Sequence, residues 1–147
     1  MEVTMPYLDA DEYRLWVGNG AGPEVFYEVQ GQKGLRYRKS RGKVDQTVKS
    51  DDYEAARPGL GSLALSVDLS PKLPDANGYS RLETAHGAKT LLNLQIRKGG
   101  DTGTADDAVF AVAAYVQEIG PNLDPKTDAS DSIVFMPSGA PTIDELA

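Results

Sequence analysis

The side chains that could do chemistry are few in this 147-residue chain and lie far apart in sequence. His86 is the only histidine and there is no cysteine, so neither a metal site nor a cysteine–histidine nucleophile can be built around it. Asp51 and Asp52 are adjacent, and neighbours on an extended chain point apart, which is poor geometry for a catalytic carboxylate pair. We therefore expect a protein that is not an enzyme, with His86 as a favourable charge near a helix end.

Three glycine-rich stretches could suggest ligand binding, but each lacks the partners that such a site needs. The segment "GGDTGTADD", residues 99–107, lacks the alternating oxygen ligands and closing glutamate of a calcium loop. The segments "GNGAG" and "GQKG", residues 18–22 and 31–34, lack the lysine–serine/threonine pair and the following helix of a phosphate loop. We interpret all three as turns, and we predict no cofactor and no metal ion.

Composition limits the classes of function. The length predicts one domain, residues 1–147. The net charge of −7 disfavours sequence-specific nucleic-acid binding, because an acidic surface repels phosphates. The amino terminus lacks the basic start and apolar core of a signal peptide, and no apolar run approaches the roughly 20 residues of a membrane helix. We therefore expect neither export by that route nor membrane insertion.

Most segments alternate between apolar and polar residues, which is typical of half-buried strands. Short alternating segments at 13–17, 24–29 and 35–39, separated by glycine-containing turns, predict an antiparallel meander. Further strands are predicted at 62–69, 90–97 and 132–136. The segment 108–119 is rich in alanine, which favours a helix, and in β-branched and aromatic residues, which favour a strand; we predict a strand and leave the helix open.

One short helix is predicted at "SRLETAHG", residues 80–87. Ser80 is the expected N-cap, and Glu83 stands three residues later, as a capping box requires. Gly87 is the expected stop. Leu82 and Ala85 are expected to pack against the sheet.

Residues 40–57 have no clear period and exceed the usual connection of about 4–6 residues, so we expect a long loop there. The preceding stretch, "KGLRYRKSRGK" at 33–43, holds six of the 15 basic residues. A basic stretch on an acidic chain can attract a second copy. The alternative is a solvated edge strand, whose charges prevent aggregation.

The order of motifs resembles the major tail tube proteins of long-tailed bacteriophages, from about residue 13 to the carboxyl end. The resemblance includes a polar "D-x-T-x-K-x-D" loop, a Pro-Gly-Leu, an "S-L-x-L-S-V" strand, a "Y-S-x-L" opening a helix and an "F-x-V-x-A-Y-V" strand. In this chain these motifs are Asp45, Thr47, Lys49 and Asp51, then Pro58, Gly59 and Leu60, then 62–67, then Tyr79, Ser80 and Leu82, then 110–116. The chain departs from the family where Tyr53, rather than a glycine-rich segment, follows Asp51 and Asp52.

This resemblance implies a mainly β fold of two packed antiparallel sheets, a sandwich or partial barrel, with one short flanking helix. It also implies a long protruding inter-ring loop at 40–59 and a carboxyl-terminal tail at 137–147. Six subunits would form a ring, and stacked rings would form a tube that delivers genomic DNA to the host. Other tail proteins (the terminator, the tape measure and the baseplate or distal tail) would be partners. The protein would be made in the host cytoplasm and reside in the virion tail.

The resemblance and the charge pattern together give two sets of candidate residues. Contacts between rings or subunits are expected at Arg36, Arg38, Lys39, Arg41, Lys43, Asp45, Lys49, Asp51, Asp52, Pro58 and Gly59. The small, polar face of the strand 62–69 is expected either to line the channel or to be an ordinary solvent face, and it comprises Ser62, Ala64, Ser66 and Asp68.

Two other functions stay open. The inner tube of a bacterial injection or secretion machine would share the fold and the ring. A small β-sandwich module that binds sugar or peptide would need exposed aromatic side chains for stacking, whereas aromatic residues make up only 7% of this chain and Trp16 is its single tryptophan.

Overall fold

The computed structural model describes residue 7 and residues 10–50, 52–125 and 129–146. One α-helix, α1, spans Tyr79–Ala88, and short 3-10 turns occupy Ala10–Glu12, Gly100–Thr102 and Ala105–Asp107. The strands are β1 (Arg14–Gly18), β2 (Phe26–Glu28), β3 (Gln32–Asp45), β4 (Ala56–Leu69), β5 (Leu92–Arg97), β6 (Ala108–Asn122), β7 (Ser130–Pro137) and β8 (Ile143–Asp144). The mainly β class with one helix is therefore confirmed.

The strands of the described residues hydrogen bond in one antiparallel sheet, in the order β2-β1-β5-β6-β7-β4-β3, with β8 on a free stretch of β6. The expected division into two packed sheets is not confirmed, because hydrogen bonding is continuous from β2 to β3. The segment 108–119 is strand, as predicted, since it lies within β6 and pairs with both β5 and β7. Part of the expected tail at 137–147 also joins the sheet, as β8.

A side chain helps to close this sheet towards a barrel. The Gln32 carboxamide, at the start of the edge strand β3, accepts a hydrogen bond from the Leu15 backbone N–H at 2.9 Å and donates one to the Leu15 carbonyl at 2.8 Å. It thus satisfies both backbone groups of one residue, as a neighbouring strand would. Strands β3 and β1 approach each other here, and beyond this point β3 has no strand on its outer side among the described residues.

The core lies on the face of the sheet that α1 covers. Alternation buries one side of each strand, as at Leu65, Val67 and Leu69 of β4, which are at most 1% exposed. The helix adds Tyr79, Leu82 and Ala85. The contacts predicted for Leu82 and Ala85 are confirmed.

The predicted ends of the helix are wrong. Gly78 is the N-cap and makes no side-chain cap, so the expected box of Ser80 and Glu83 does not form. Instead, the Asp75 carboxylate accepts hydrogen bonds from the backbone N–H groups of Tyr79 and Gln30, which ties the helix start to the turn before β3. The helix continues through Gly87 and ends at Lys89, whose φ of 56° takes the left-handed conformation expected of glycine.

A buried polar pair anchors α1 to β7. The Tyr79 hydroxyl donates a hydrogen bond to Asp131 Oδ2, and Asp131 Oδ1 accepts one from the Gly120 N–H at 3.0 Å. Burial raises the pKa of Tyr79 above its ordinary value of 10.0, and the hydrogen bond to Asp131 raises it further.

At neutral pH, the free energy of unfolding of a Tyr79→Phe variant should be about 1.5–3 kcal/mol lower than that of wild type. The reason is that the buried Asp131 carboxylate loses a hydrogen-bond donor. Since the folded-state pKa is raised, the stabilisation by Tyr79 is fully present below pH 10.0 and decreases as the pH rises above that value. Urea unfolding of both proteins at neutral pH and above pH 10 measures this. Wild type should lose more free energy of unfolding than the variant, and equal losses would show that Tyr79 does not carry the effect.

Candidate assembly surfaces

A long hairpin extends past the body of the sheet. Strands β3 and β4 pair along their whole length, but β7 covers β4 only from Leu65 to Leu69. We call residues 40–62 the arm: two strands joined by residues 46–55. The seven arm residues of β4 at about 3.3 Å each extend roughly 23 Å. Every described arm residue except Gly59 is exposed, so the arm has no buried face of its own.

The arm corrects the predicted loop at 40–59. Half of that segment is strand, because Ser40–Asp45 and Ala56–Gly59 belong to β3 and β4, and residues 46–55 connect the two strands. A bulge sits where Gly59 and Leu60 oppose Gly42. A Cβ at Gly59 would lie 3.1 Å from the Gly42 carbonyl oxygen, which is why glycine suits this position. The adjacent Leu60 is 92% exposed.

The end of the arm is held by the first residues of the "D-x-T-x-K-x-D" motif. The Asp45 carboxylate accepts a hydrogen bond from the Thr47 N–H at 2.9 Å, which lowers the pKa of Asp45. The Thr47 hydroxyl bonds to both backbone groups of Ala55 across the connection. Asp45 and Thr47 thus shape the arm, while Lys49 and Asp52 at its tip are exposed; Asp51 lies outside the described residues.

The tip presents apolar as well as charged groups. Tyr53 is 87% exposed, beside Asp52 and Glu54, and Val48 is also exposed. Glu54 lies 3.5 Å from Lys43 Nζ, in an ion pair exposed on both sides. A solvated aromatic ring between acidic side chains, at the end of an extended ribbon, is complementary to a site that is both apolar and basic.

The base of the arm is fastened to the carboxyl-terminal strand. Lys39 Nζ lies 2.8 Å from Asp144 Oδ1 on β8, and this hydrogen bond raises the pKa of Lys39. Tyr37, two residues earlier, stacks on Phe110 of β6 with ring centroids 4.5 Å apart. These contacts fix the direction in which the arm leaves the sheet. The candidates Arg41, Lys43 and Pro58 lie farther out on the arm itself and are exposed.

The strand register places two sets of candidates on one face. Arg36 is directly opposite Ser66, Arg38 opposite Ala64, and Ser40 opposite Ser62. Directly opposite residues of an antiparallel pair point to the same side. Accordingly, Arg36 Nη2 lies 3.9 Å from Asp68 Oδ2, and the Ser40 and Ser62 hydroxyls are 2.6 Å apart. The expected channel face therefore also includes Arg36 and Arg38, besides Ser62, Ala64, Ser66 and Asp68. From the sequence, these two arginines were expected at contacts between rings or subunits.

A pocket of about 390 Å³ lies at the other end of the sheet. The arm extends from the end of the sheet that contains the first residues of β6 and the last residues of β7. The pocket lies at the opposite end, which contains the last residues of β1 and the first residues of β5. Its wall includes Leu91, which is 45% exposed, and Ala85 of α1. Its acid, Glu24, is already bonded to the Gly20 N–H and to the Asn93 amide.

Arg81 contributes a cationic group to the lining of this pocket. Its Nη2 donates to Asn77 Oδ1 at 3.0 Å, and its guanidinium carbon lies 5.6 Å from the centre of the Tyr27 ring. Its Nη1 is buried and has no hydrogen-bond partner among the described residues. Sequence analysis missed this pocket, because its walls come from three segments distant in sequence.

The single tryptophan, Trp16, does not present an open stacking surface for a sugar or peptide. The Arg97 guanidinium covers Trp16, with its carbon 4.8 Å from the Trp16 ring centre and 5.1 Å from that of Phe26. Burial lowers the pKa of Arg97. His86 is exposed in the last turn of α1.

The described residues hold neither a cluster of metal ligands nor a helix that could cross a membrane. No three histidine, cysteine, aspartate or glutamate side chains in these ranges cluster closely enough to hold a metal ion. Of the helices in the same residues, none combines the length and the apolar character that a bilayer crossing requires.

No protein-family model matches the chain, and no curated protein matches it in sequence. Solved structures do match. A chain in the tail of an empty gene transfer agent particle, refined with C6 symmetry, has a TM-score of 0.73 at 14% identity over 93% of this chain and 98% of that one. The SPP1 tail tube has a TM-score of 0.70 at 12% identity, covering 90% of this chain and 77% of that one.

A third match is a chain in the six-fold symmetrised baseplate of the anti-feeding prophage, with a TM-score of 0.64 at 9% identity, covering 98% of this chain and all of that one. The resemblance to tail tube proteins is thus confirmed at the level of the fold.

Proposed function

We propose that this chain is a structural subunit of a phage-type tail tube and has no catalytic role. Six copies form a ring, rings stack, and genomic DNA passes through the channel without specific binding. The observation that carries the proposal is the unsupported arm on a fold shared, over 93% of the chain, with a C6-symmetric tail. The protein then resides in the virion tail and meets the terminator, the tape measure and the baseplate or distal tail at the tube ends.

The unfinished edges support assembly. The outer edge of β3 and both edges of the arm lack strand partners among the described residues. Exposed strand edges pair readily with other chains unless they are covered or closed into a barrel. A ring in which neighbouring copies complete these edges removes the exposure. The β3 candidates Arg36, Arg38 and Lys39 then lie at subunit contacts or beside them.

The face that carries Ser62, Ala64, Ser66 and Asp68 is proposed to line the channel. The β4 side chains on this face are small. The positive charges of the two β3 arginines are balanced by the negative charges of Asp68 and of Glu118 on β6, which lies opposite Val134 of β7. A wall with balanced charge on a protein of net charge −7 does not hold a polyanion. Arg41, Lys43, Lys49, Asp51 and Asp52 belong to the arm and are proposed to contact the next ring, with Asp45, Pro58 and Gly59 shaping it.

Negative-stain electron microscopy of the purified protein at rising concentration, with light scattering of the same samples, tests the proposal. We expect rings or tubes with six-fold end views. A protein that stays monomeric at every concentration, and melts at a higher temperature with a sugar or peptide, would support a binding module instead.

The second candidate is the inner tube of a phage-like injection machine, which the match to the anti-feeding prophage baseplate favours. Labelling the protein in particles released from its producer separates the two. Label on tails attached to DNA-filled heads supports the first, and label on headless particles supports the second.

A further inference from the structure

The arm and the pocket occupy opposite ends of one subunit, and their surfaces are complementary. The tip offers an exposed aromatic ring, Tyr53, beside the Asp52 carboxylate. The pocket wall includes the apolar Leu91 and also Arg81, whose buried Nη1 has no hydrogen-bond partner among the described residues. An unpaired buried donor is costly, and a carboxylate is its strongest partner.

We propose that the arm tip of one copy inserts into this pocket of the next copy in the stack, with Tyr53 against Leu91 and Asp52 bonded to Arg81. The inference rests on the proposed function and names the receiving site of its ring-to-ring contact. A contact between different surfaces at opposite ends of a molecule is heterologous, so it repeats without closing and builds an open stack. The arm gives this stack its direction.

The second cavity, of about 550 Å³, is a weaker receptor for the tip. It lies between β3 and the start of β1, and its rim already combines Asp11 with Arg14 and Lys33. The side-chain atoms found buried without a partner in the described residues are Arg81 Nη1, which belongs to the first pocket, and Trp16 Nε1, which lines neither cavity.

Charge reversal tests the pair. Asp52→Arg and Arg81→Asp should each raise the protein concentration needed for tubes by about 30-fold or more, the usual effect of breaking a buried charge pair at an interface. The combined variant should recover most of the loss. Asp106→Arg, an exposed acid far from the arm in sequence, is the matched control and should assemble as wild type does. Normal tubes from either single variant, or no recovery in the double, would overturn the pairing.

Because Arg81→Asp also removes the contact with Tyr27, Leu91→Lys provides a second disruption of the pocket, with the exposed Leu73→Lys as its control. Melting curves of all variants verify that they fold.

Cross-linking provides a readout that does not need tubes. The chain has no cysteine, so a mixture of Tyr53→Cys and Leu91→Cys proteins can form only engineered disulfides. We expect oxidised heterodimers on a non-reducing gel, and none from Tyr53→Cys with Leu73→Cys. Tubes without this cross-link would refute the insertion and leave the tail-tube function standing. The cross-link without tubes at any concentration would support the insertion and refute the function.

Discussion

Replacing residues 46–55 with a two-residue Asn-Gly turn should abolish tubes and leave the subunit folded. Asp45 and Ala56 face each other at the end of the β3–β4 pairing, so a type I′ turn can join them without altering the register. The removed segment contains no buried side chain among its described residues. Folding therefore loses only exposed contacts, such as that between Thr47 and Ala55, worth about 1 kcal/mol.

The shortened arm should weaken assembly far more than folding. The contact between rings repeats once per subunit, so a small loss of binding free energy at each copy multiplies around a ring. Electron microscopy should find rings but no tubes at concentrations where wild type is fully assembled. Gln46→Ala, which keeps the length of the arm and lies outside the proposed contacts, is the matched control and should still form tubes. Tubes of normal length from the shortened protein would exclude the arm as the ring-to-ring contact.

The strands of the body could be predicted because one of their faces is buried. In β4, Leu65 and Val67 face the core, whereas Ser66 and Asp68 face away from it. The sequence therefore alternates between apolar and polar residues. β6 was ambiguous by propensity, since its alanines favour a helix, and the structure shows that pairing on both sides decides for strand.

The arm could not be predicted as strand for the opposite physical reason. Both of its faces meet solvent, so no selection for an apolar side produces alternation in residues 40–45 or 56–62. Only its polar, aperiodic character was visible, which suggests a loop. The helix caps failed because Asp75, four residues before Tyr79 and outside the expected box, supplies the acceptor that Ser80 was expected to provide.

The candidate sites depended on register, which a single sequence does not reveal. The basic residues of β3 and the small residues of β4 looked like separate surfaces, yet the hairpin places Arg36 and Arg38 beside Ser66 and Ala64. The pocket at Arg81 is still less visible, because the turn after β1, the helix and the start of β5 meet only in three dimensions. Exposed arm residues could be named from composition, but their receptor could not.

Phe110→Ala should have the largest effect on folding. Phe110 is 1% exposed near the start of β6, where it pairs with Ile96 on one side and Asp144 on the other, and its ring stacks on Tyr37. Truncating a buried phenylalanine costs about 3–5 kcal/mol, through lost transfer free energy and the cavity that remains. Since domains of this size are stable by roughly 5–15 kcal/mol, much of the protein should be unfolded in modest denaturant.

Urea unfolding of wild type and variant, monitored by circular dichroism, measures this loss, and Tyr53→Ala is the informative comparison. It removes an aromatic ring too, but one that is 87% exposed, so its free energy of unfolding should change by less than about 0.5 kcal/mol. The two variants should therefore separate folding from assembly: Phe110→Ala loses stability, whereas Tyr53→Ala keeps it and loses tubes. If Phe110→Ala lowered the free energy of unfolding by less than about 1 kcal/mol, the base of the arm and β8 would have to fill the cavity. Tyr37 would then not need Phe110 to orient the arm.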